Sequence, residues 1–124
     1  MLGPQDSRWE NGVYHMALDL SGYPENPPVI LALSESGSFE RNMPPCIHGI
    51  SHYHPYDWTP GTKISSILDT LQMYFSVEDP VMRGGVGIIK QFDNKKIAAA
   101  KEKCGSFKCS QCGMDHAKLK LRYK

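Results

Sequence analysis

Tyr23-Pro24-Glu25-Asn26-Pro27-Pro28 runs into Val29-Ile30-Leu31-Ala32-Leu33 and then Ser34-Glu35-Ser36-Gly37-Ser38-Phe39. This stretch decides the fold. A proline-bounded turn feeds a continuous apolar run, and such a run between turn signals reads as a central strand. From Gly37 to Gly61 the sequence loses periodicity and fills with Pro, Gly, His and Asn. A loop that long inside a compact domain is usually functional. It carries one thiol, Cys46, after Pro44-Pro45, followed by His48, His52-x-His54-Pro55 and Trp58-Thr59-Pro60. A lone cysteine more often serves as a small buried hydrophobe. Here its polar loop points to a displayed nucleophile.

Upstream, Val13–Leu20 alternates, with Tyr14, Met16, Leu18 and Leu20 on one face, the pattern of a half-buried strand. The short link Ser21–Pro28 predicts an antiparallel pair. Downstream, Ile64, Ile67, Leu68, Leu71, Tyr74 and Phe75 form one helical stripe, with Thr62 as the expected cap. Glu78–Gly87 reads as turn material. A second helix is predicted from an Asp93 cap to about Lys103, ended by Gly105. The fold class is α+β.

The chain has 124 residues, 40% hydrophobic and 22% charged, which suits a single domain over 1–124. It has no apolar run long enough to span a bilayer and no signal peptide. Four cysteines in such a chain imply a reducing, cytoplasmic compartment. The net charge of +1 hides an asymmetry: residues 1–89 carry four Lys/Arg and ten Asp/Glu, residues 90–124 ten and three. The chain therefore divides into a core, 1–89, and a basic helix with a Cys-rich tail, 90–124. The default for the basic segment is a solvated face. Arg/aromatic interleaving and nucleic-acid motifs are missing, so a nucleic-acid partner is not expected.

The motifs resemble ubiquitin-conjugating enzymes (E2), specifically the divergent J class associated with the endoplasmic reticulum. Gly3-Pro4-Gln5-Asp6-Ser7 with Gly12-Val13-Tyr14-His15 resembles that family's turn and second strand. Tyr23-Pro24-x-x-Pro27-Pro28 matches its YPxxPP segment. Gly37-Ser38-Phe39, six residues and Cys46 reproduce the spacing to its active-site cysteine. His54-Pro55-Tyr56-Asp57-Trp58-Thr59-Pro60 matches its His-Pro-x-x-Trp-x-Pro element, and Phe107–Gly113 resembles its Phe-Cys-x-x-Cys-Gly tail.

The resemblance implies the UBC fold, with an antiparallel meander sheet and helices. The family's amino-terminal helix and most of its first strand fall outside this sequence, so an uncovered sheet edge is expected to favour a homodimer. It further implies a transferase carrying ubiquitin as a thioester on Cys46, with Ser36, His52, His54 and Asp57 as further catalytic candidates. Partners would be ubiquitin, its activating enzyme, a ligase and protein substrates. Placement at the cytosolic face of the endoplasmic reticulum would follow from the family, although this chain carries no anchor. A protonated imidazole near Cys46 would favour the thiolate, and a neutral one could accept the acceptor's proton. The plainer reading of His54-Pro55 is a turn whose ring packs under Trp58, which, with Pro60, anchors the loop on the core.

Ser36 stands where the family has asparagine, and one extra residue separates Cys46 from Trp58. Losing an oxyanion donor typically costs about 10²–10³ in rate, so a slower or differently tuned enzyme is expected. A scaffold of the same fold that forms no thioester is the alternative. No cofactor is expected at the remaining thiols, with zinc on Cys104, Cys109, Cys112 and His116 as the lesser reading.

Overall fold

Pro27-Pro28 bring the chain in extended, and Val29–Ala32 becomes strand β2, paired antiparallel with strand β1, Met16–Asp19, in the register Met16–Ala32 to Asp19–Val29. The computed structural model describes residues 1–123. Ile30 and Ala32 are buried, as the apolar run predicts. β1 is shorter than its alternation suggested and Leu20 is 40% exposed. The strand stops because the Asp19 carboxylate accepts the Ser21 N–H (3.0 Å), closing an Asx turn.

Among the described residues the sheet has only these two strands, plus isolated antiparallel bridges at Leu2–Val13, Phe39–Ile88 and Lys108–Asp115. The expected meander is therefore not built as a continuous ladder. The Asn42 N–H does reach the Ala32 carbonyl (2.7 Å), but Pro44-Pro45 then remove the donors a third strand would need.

Helix α1, Ile64–Tyr74, buries Ile67, Leu71 and Tyr74, with Phe75 just beyond it fully covered. The stripe is narrower than predicted, since Leu68 is 40% exposed. Its cap position is Lys63, without a side-chain bond, because the Thr62 hydroxyl donates instead to the Thr59 carbonyl (2.7 Å). Helix α2, Asn94–Cys104, follows the reading closely: Asp93 accepts from the Lys95 and Lys96 N–H groups, and Gly105 closes the end.

Phe75 is the hub of the core, with Phe39, Tyr14 and Trp9 centred 4.9, 5.1 and 6.3 Å from its ring. The Tyr14 hydroxyl is buried with no hydrogen-bond partner among the described residues. Burial, with smaller contributions from Cys104 and Tyr123, pushes its pKa far above the usual phenol range. An unpaired buried hydroxyl opposes folding. Tyr14→Phe is accordingly expected to raise stability by about 1 kcal/mol, seen as a higher thermal midpoint; a fall of similar size would show that the hydroxyl has a stabilising partner.

Candidate active site

Cys46 is fixed from behind and open in front. Its N–H donates to the Val86 carbonyl (2.7 Å), while its side chain is half-buried at the surface. The segment behind it is Gly85-Val86-Gly87. A methyl group on Gly85 would lie 2.8 Å from Cys46 Cβ and 3.3 Å from its sulfur, so only glycine lets the two strands of chain pass this close. Sequence reasoning took these glycines for turn material. Glycine inside an extended segment is a signal of close backbone approach. Gly85→Ala is expected to push Cys46 aside and slow chemistry at its sulfur by about 10²-fold, as misplacements near 1 Å do, measured with a thiol-directed electrophile. An unchanged rate would show that the backbone yields without moving the sulfur. Beside this segment runs a groove of about 630 Å³ lined by Gly37, Glu40, Met43, Val86, Ile88 and Lys96 among others.

The loop doubles back in front of Cys46. Ser51 N–H donates to the Ile47 carbonyl (3.0 Å), Ile47 N–H donates to Ser51 Oγ (3.1 Å), and Pro55–Asp57 forms a 3-10 turn. This reversal sets His54 Nε2 3.0 Å from Cys46 Sγ. The other ring nitrogen lies 2.8 Å from the Tyr56 hydroxyl. When Nδ1–H donates to Tyr56, the Nε2 lone pair faces the thiol and can take its proton. His48 stacks on His54, ring centres 4.6 Å apart and planes 13° apart, and its Nδ1 lies 3.1 Å from Asp57 Oδ2. Asp57 thus hydrogen-bonds His48, while its carboxylate lies within 4.8 Å of a His54 ring nitrogen.

The loop's far end is clasped to the turn ahead of β2. Trp58 Nε1–H donates to the Pro24 carbonyl (2.8 Å), Tyr23 meets Trp58 edge-on at 6.1 Å, and the Tyr23 hydroxyl donates to the Thr62 carbonyl (2.8 Å). Trp58 therefore anchors the loop as expected, whereas Pro60 is exposed. His54 packs on His48, not under Trp58.

No protein-family model matches the chain. Curated relatives do. The chain is 36% identical over 100 residues to ubiquitin-conjugating enzyme E2 6 of Candida glabrata, covering 80% of this chain and 39% of that protein. It is 38% identical over 102 residues to ubiquitin-conjugating enzyme E2 J2-like of Dictyostelium discoideum, covering 82% and 58%. To human ubiquitin-conjugating enzyme E2 J1 it is 33% identical over 112 residues, covering 90% and 34%. Over most of its length the sequence is similar to ubiquitin-conjugating enzymes of the E2 6 and J type. It spans between about a third and three-fifths of the length of these relatives. No helix among the described residues is long and apolar enough to cross a membrane.

Of the residues that the E2 resemblance singled out, the structure gathers Cys46, His54 and Asp57, with His48 added. Ser36 is buried at the turn before the loop. Its hydroxyl accepts the N–H groups of Ser38 and Phe39 (3.1 Å each) and its carbonyl takes the Trp9 indole N–H (2.7 Å). Among the described residues no hydrogen bond joins it to Cys46. His52 is not brought into the group either: its ring packs on Tyr53 at 4.3 Å and lines a separate depression with Asp19, Ser21 and Pro55. Spacing alone could not tell which histidine of the three would meet the sulfur.

Towards the E2-like tail, Cys104, Cys109, Cys112 and His116, the residues of the lesser zinc reading, fall into two groups. The Cys104 sulfur donates to the Lys101 carbonyl (2.9 Å) and accepts from Val13 N–H (3.2 Å). His116 Nδ1 is held by the Cys104 carbonyl (2.8 Å). Cys109 and Cys112 instead gather with His15, whose position in β1's lead-in gave no sequence signal. The Cys112 N–H directed at the Cys109 sulfur lowers that thiol's pKa against opposing burial, with further help from Gln111 N–H, the Cys112 side chain and Arg41. Burial, then His116 and the amino terminus, lower that of His15.

Proposed function

We propose that this chain acts as an E2, accepting ubiquitin on Cys46 as a thioester and passing it to acceptor proteins. The observation that carries this reading is the 3.0 Å contact between a half-exposed cysteine sulfur and an imidazole nitrogen, in a chain related to ubiquitin-conjugating enzymes. Loss of the thiol proton to His54 leaves a thiolate, which attacks the carbonyl carbon of ubiquitin's thioester on the activating enzyme. A new carbon–sulfur bond forms and the activating enzyme's thiolate leaves. The departing thiolate takes the proton from His54, which returns to neutral; an acceptor amine then attacks the same carbon, Cys46 departs as thiolate, and the amine's proton passes to His54. The groove along Gly85–Gly87, the segment that backs Cys46, has a volume of about 630 Å³. Ubiquitin, the activating enzyme, a ligase and protein substrates are the partners, with work at the cytosolic face of the endoplasmic reticulum by kinship with the J branch.

A second reading, a non-catalytic scaffold of the same family, is favoured by Ser36, whose hydroxyl is engaged with backbone amides away from Cys46. The two separate in one assay: the chain, activating enzyme, ATP and ubiquitin, followed by a gel without reductant. A reductant-sensitive ubiquitin adduct, absent from Cys46→Ala, is expected. No adduct on the parent chain, with ubiquitin or ligase still bound, would replace the carrier with the scaffold.

A further inference from the structure

We propose that Cys109 Sγ, Cys112 Sγ and His15 Nε2 form a zinc site that ties the basic carboxyl-terminal segment to the lead-in of β1. Cys-x-x-Cys is the ligand spacing of zinc knuckles. Here its turn is already folded: Cys109 N–H donates to the Met114 carbonyl and Gly113 N–H to the Cys109 carbonyl, both at 2.9 Å. The third donor arrives from the opposite end of the chain, with His15 Nε2 3.2 Å from Cys112 Sγ. The three donor atoms lie within 4.8 Å of one another. Tetrahedral zinc with bonds of about 2.3 Å to sulfur and 2.0–2.1 Å to nitrogen spaces its ligand atoms roughly 3.5–3.8 Å apart. Small side-chain rotations bring this group to that spacing.

The hydrogen bonds around His15 prepare it as a ligand. The Cys104 carbonyl can only accept, so His116 carries its proton on Nδ1. His116 Nε2 then offers a lone pair to His15 Nδ1, 3.3 Å away, which must be the protonated nitrogen. That leaves the His15 Nε2 lone pair facing the Cys112 sulfur. A ligating histidine whose other nitrogen donates to a fixed acceptor is the usual support of a metal site. Cys104 and His116 therefore back the site without entering it. A Cys109–Cys112 disulfide, the competing use of the motif, needs no imidazole lone pair at this point. Three protein ligands leave the fourth position to water, at the exposed Cys112 side.

The test uses the full chain, reduced and purified without chelator, with metal analysis followed by titration of the chelated protein with Zn²⁺ and Co²⁺. A single ion per chain and the thiolate-to-cobalt charge-transfer band of a tetrahedral site are expected. Cys112→Ser, an exposed change, should abolish both while circular dichroism stays unchanged. His15→Gln should weaken zinc binding at least as much as His116→Gln, whose supporting role predicts a loss of about 10–100-fold. Cys104→Ser should leave the stoichiometry intact. A parent chain that takes up no metal, or a Cys104→Ser defect matching that of Cys112→Ser with His15→Gln unaffected, would overturn the assignment. None of these readouts depends on thioester formation at Cys46.

Discussion

His54→Ala is expected to slow discharge of a Cys46–ubiquitin thioester to an amine by about 10²–10⁴-fold, the usual contribution of a positioned acid–base group. The expectation follows from contact: His54 is the imidazole whose nitrogen meets the sulfur, at 3.0 Å, while His52 lies in another depression. His52→Ala should therefore leave the rate nearly unchanged. Asp57→Asn should fall between them, because Asp57 reaches His48, whose ring only stacks on His54. Single-turnover discharge of preformed thioester to free lysine measures all three without interference from charging. The pH profile adds a second readout, since loss of a proton acceptor should remove one limb of the parent curve. Equal rates for His54→Ala and the parent would take His54 out of the chemistry and return it to a packing role.

Arg83→Met is expected to cost on the order of 3 kcal/mol, against a total of about 5–15 kcal/mol for a domain of this kind. Arg83 is among the most buried side chains, 1% exposed. Burial lowers its pKa to about 10, opposed in part by Tyr74, which leaves it charged at neutral pH. Its guanidinium donates to the carbonyls of Ile89 (2.8 Å), Tyr74 (3.0 Å), Val77 (3.2 Å) and Ser38, and to the Ser38 hydroxyl (3.0 Å). It also lies over Phe92, 4.4 Å from the ring centre. One side chain thus joins the end of α1, the turn before the Cys46 loop and Ile89, just past the segment behind Cys46. Methionine fills similar volume but removes the donors to the Ile89, Tyr74 and Val77 carbonyls, while the Ser38 carbonyl keeps only the Ile89 N–H (3.0 Å). Arg83→Lys should rescue little, because a single ammonium cannot serve acceptors on three sides. Thermal melts should show a fall of roughly 10 °C or more. A midpoint within a degree of the parent would mean that water or neighbouring amides satisfy the freed carbonyls.

Local chemistry was legible in the sequence and distant juxtaposition was not. Asp93 announced α2 because capping depends on a side chain and the next three amides, all neighbours in the chain. The buried positions Ile67, Leu71 and Tyr74 followed from helical period alone. Leu68 escaped burial because the stripe is wider than the surface that receives it, a tertiary fact. Arg83 carried no signal, since an arginine among Pro, Gly and Asp reads as a solvated turn until the carbonyls around it are known. At the candidate site, spacing gave Cys46 and the group of three histidines but not their directions. His15 could not have been paired with Cys112 by any spacing argument, because the two are 97 positions apart.

The bond from Trp58 to Pro24 fixes the far end of the Cys46 loop against the turn ahead of β2, so a change in loop length has to be absorbed before Trp58. Gly49 supplies the outlet. It sits in a left-handed turn, φ +84°, with no heavy atom within 4 Å of where a side chain would begin. An additional residue there bulges towards solvent, and closing a slightly longer loop adds only a few tenths of a kcal/mol. A longer loop rim at Gly49 is thereby decoupled from the spacing of sulfur and imidazole, which stay in register.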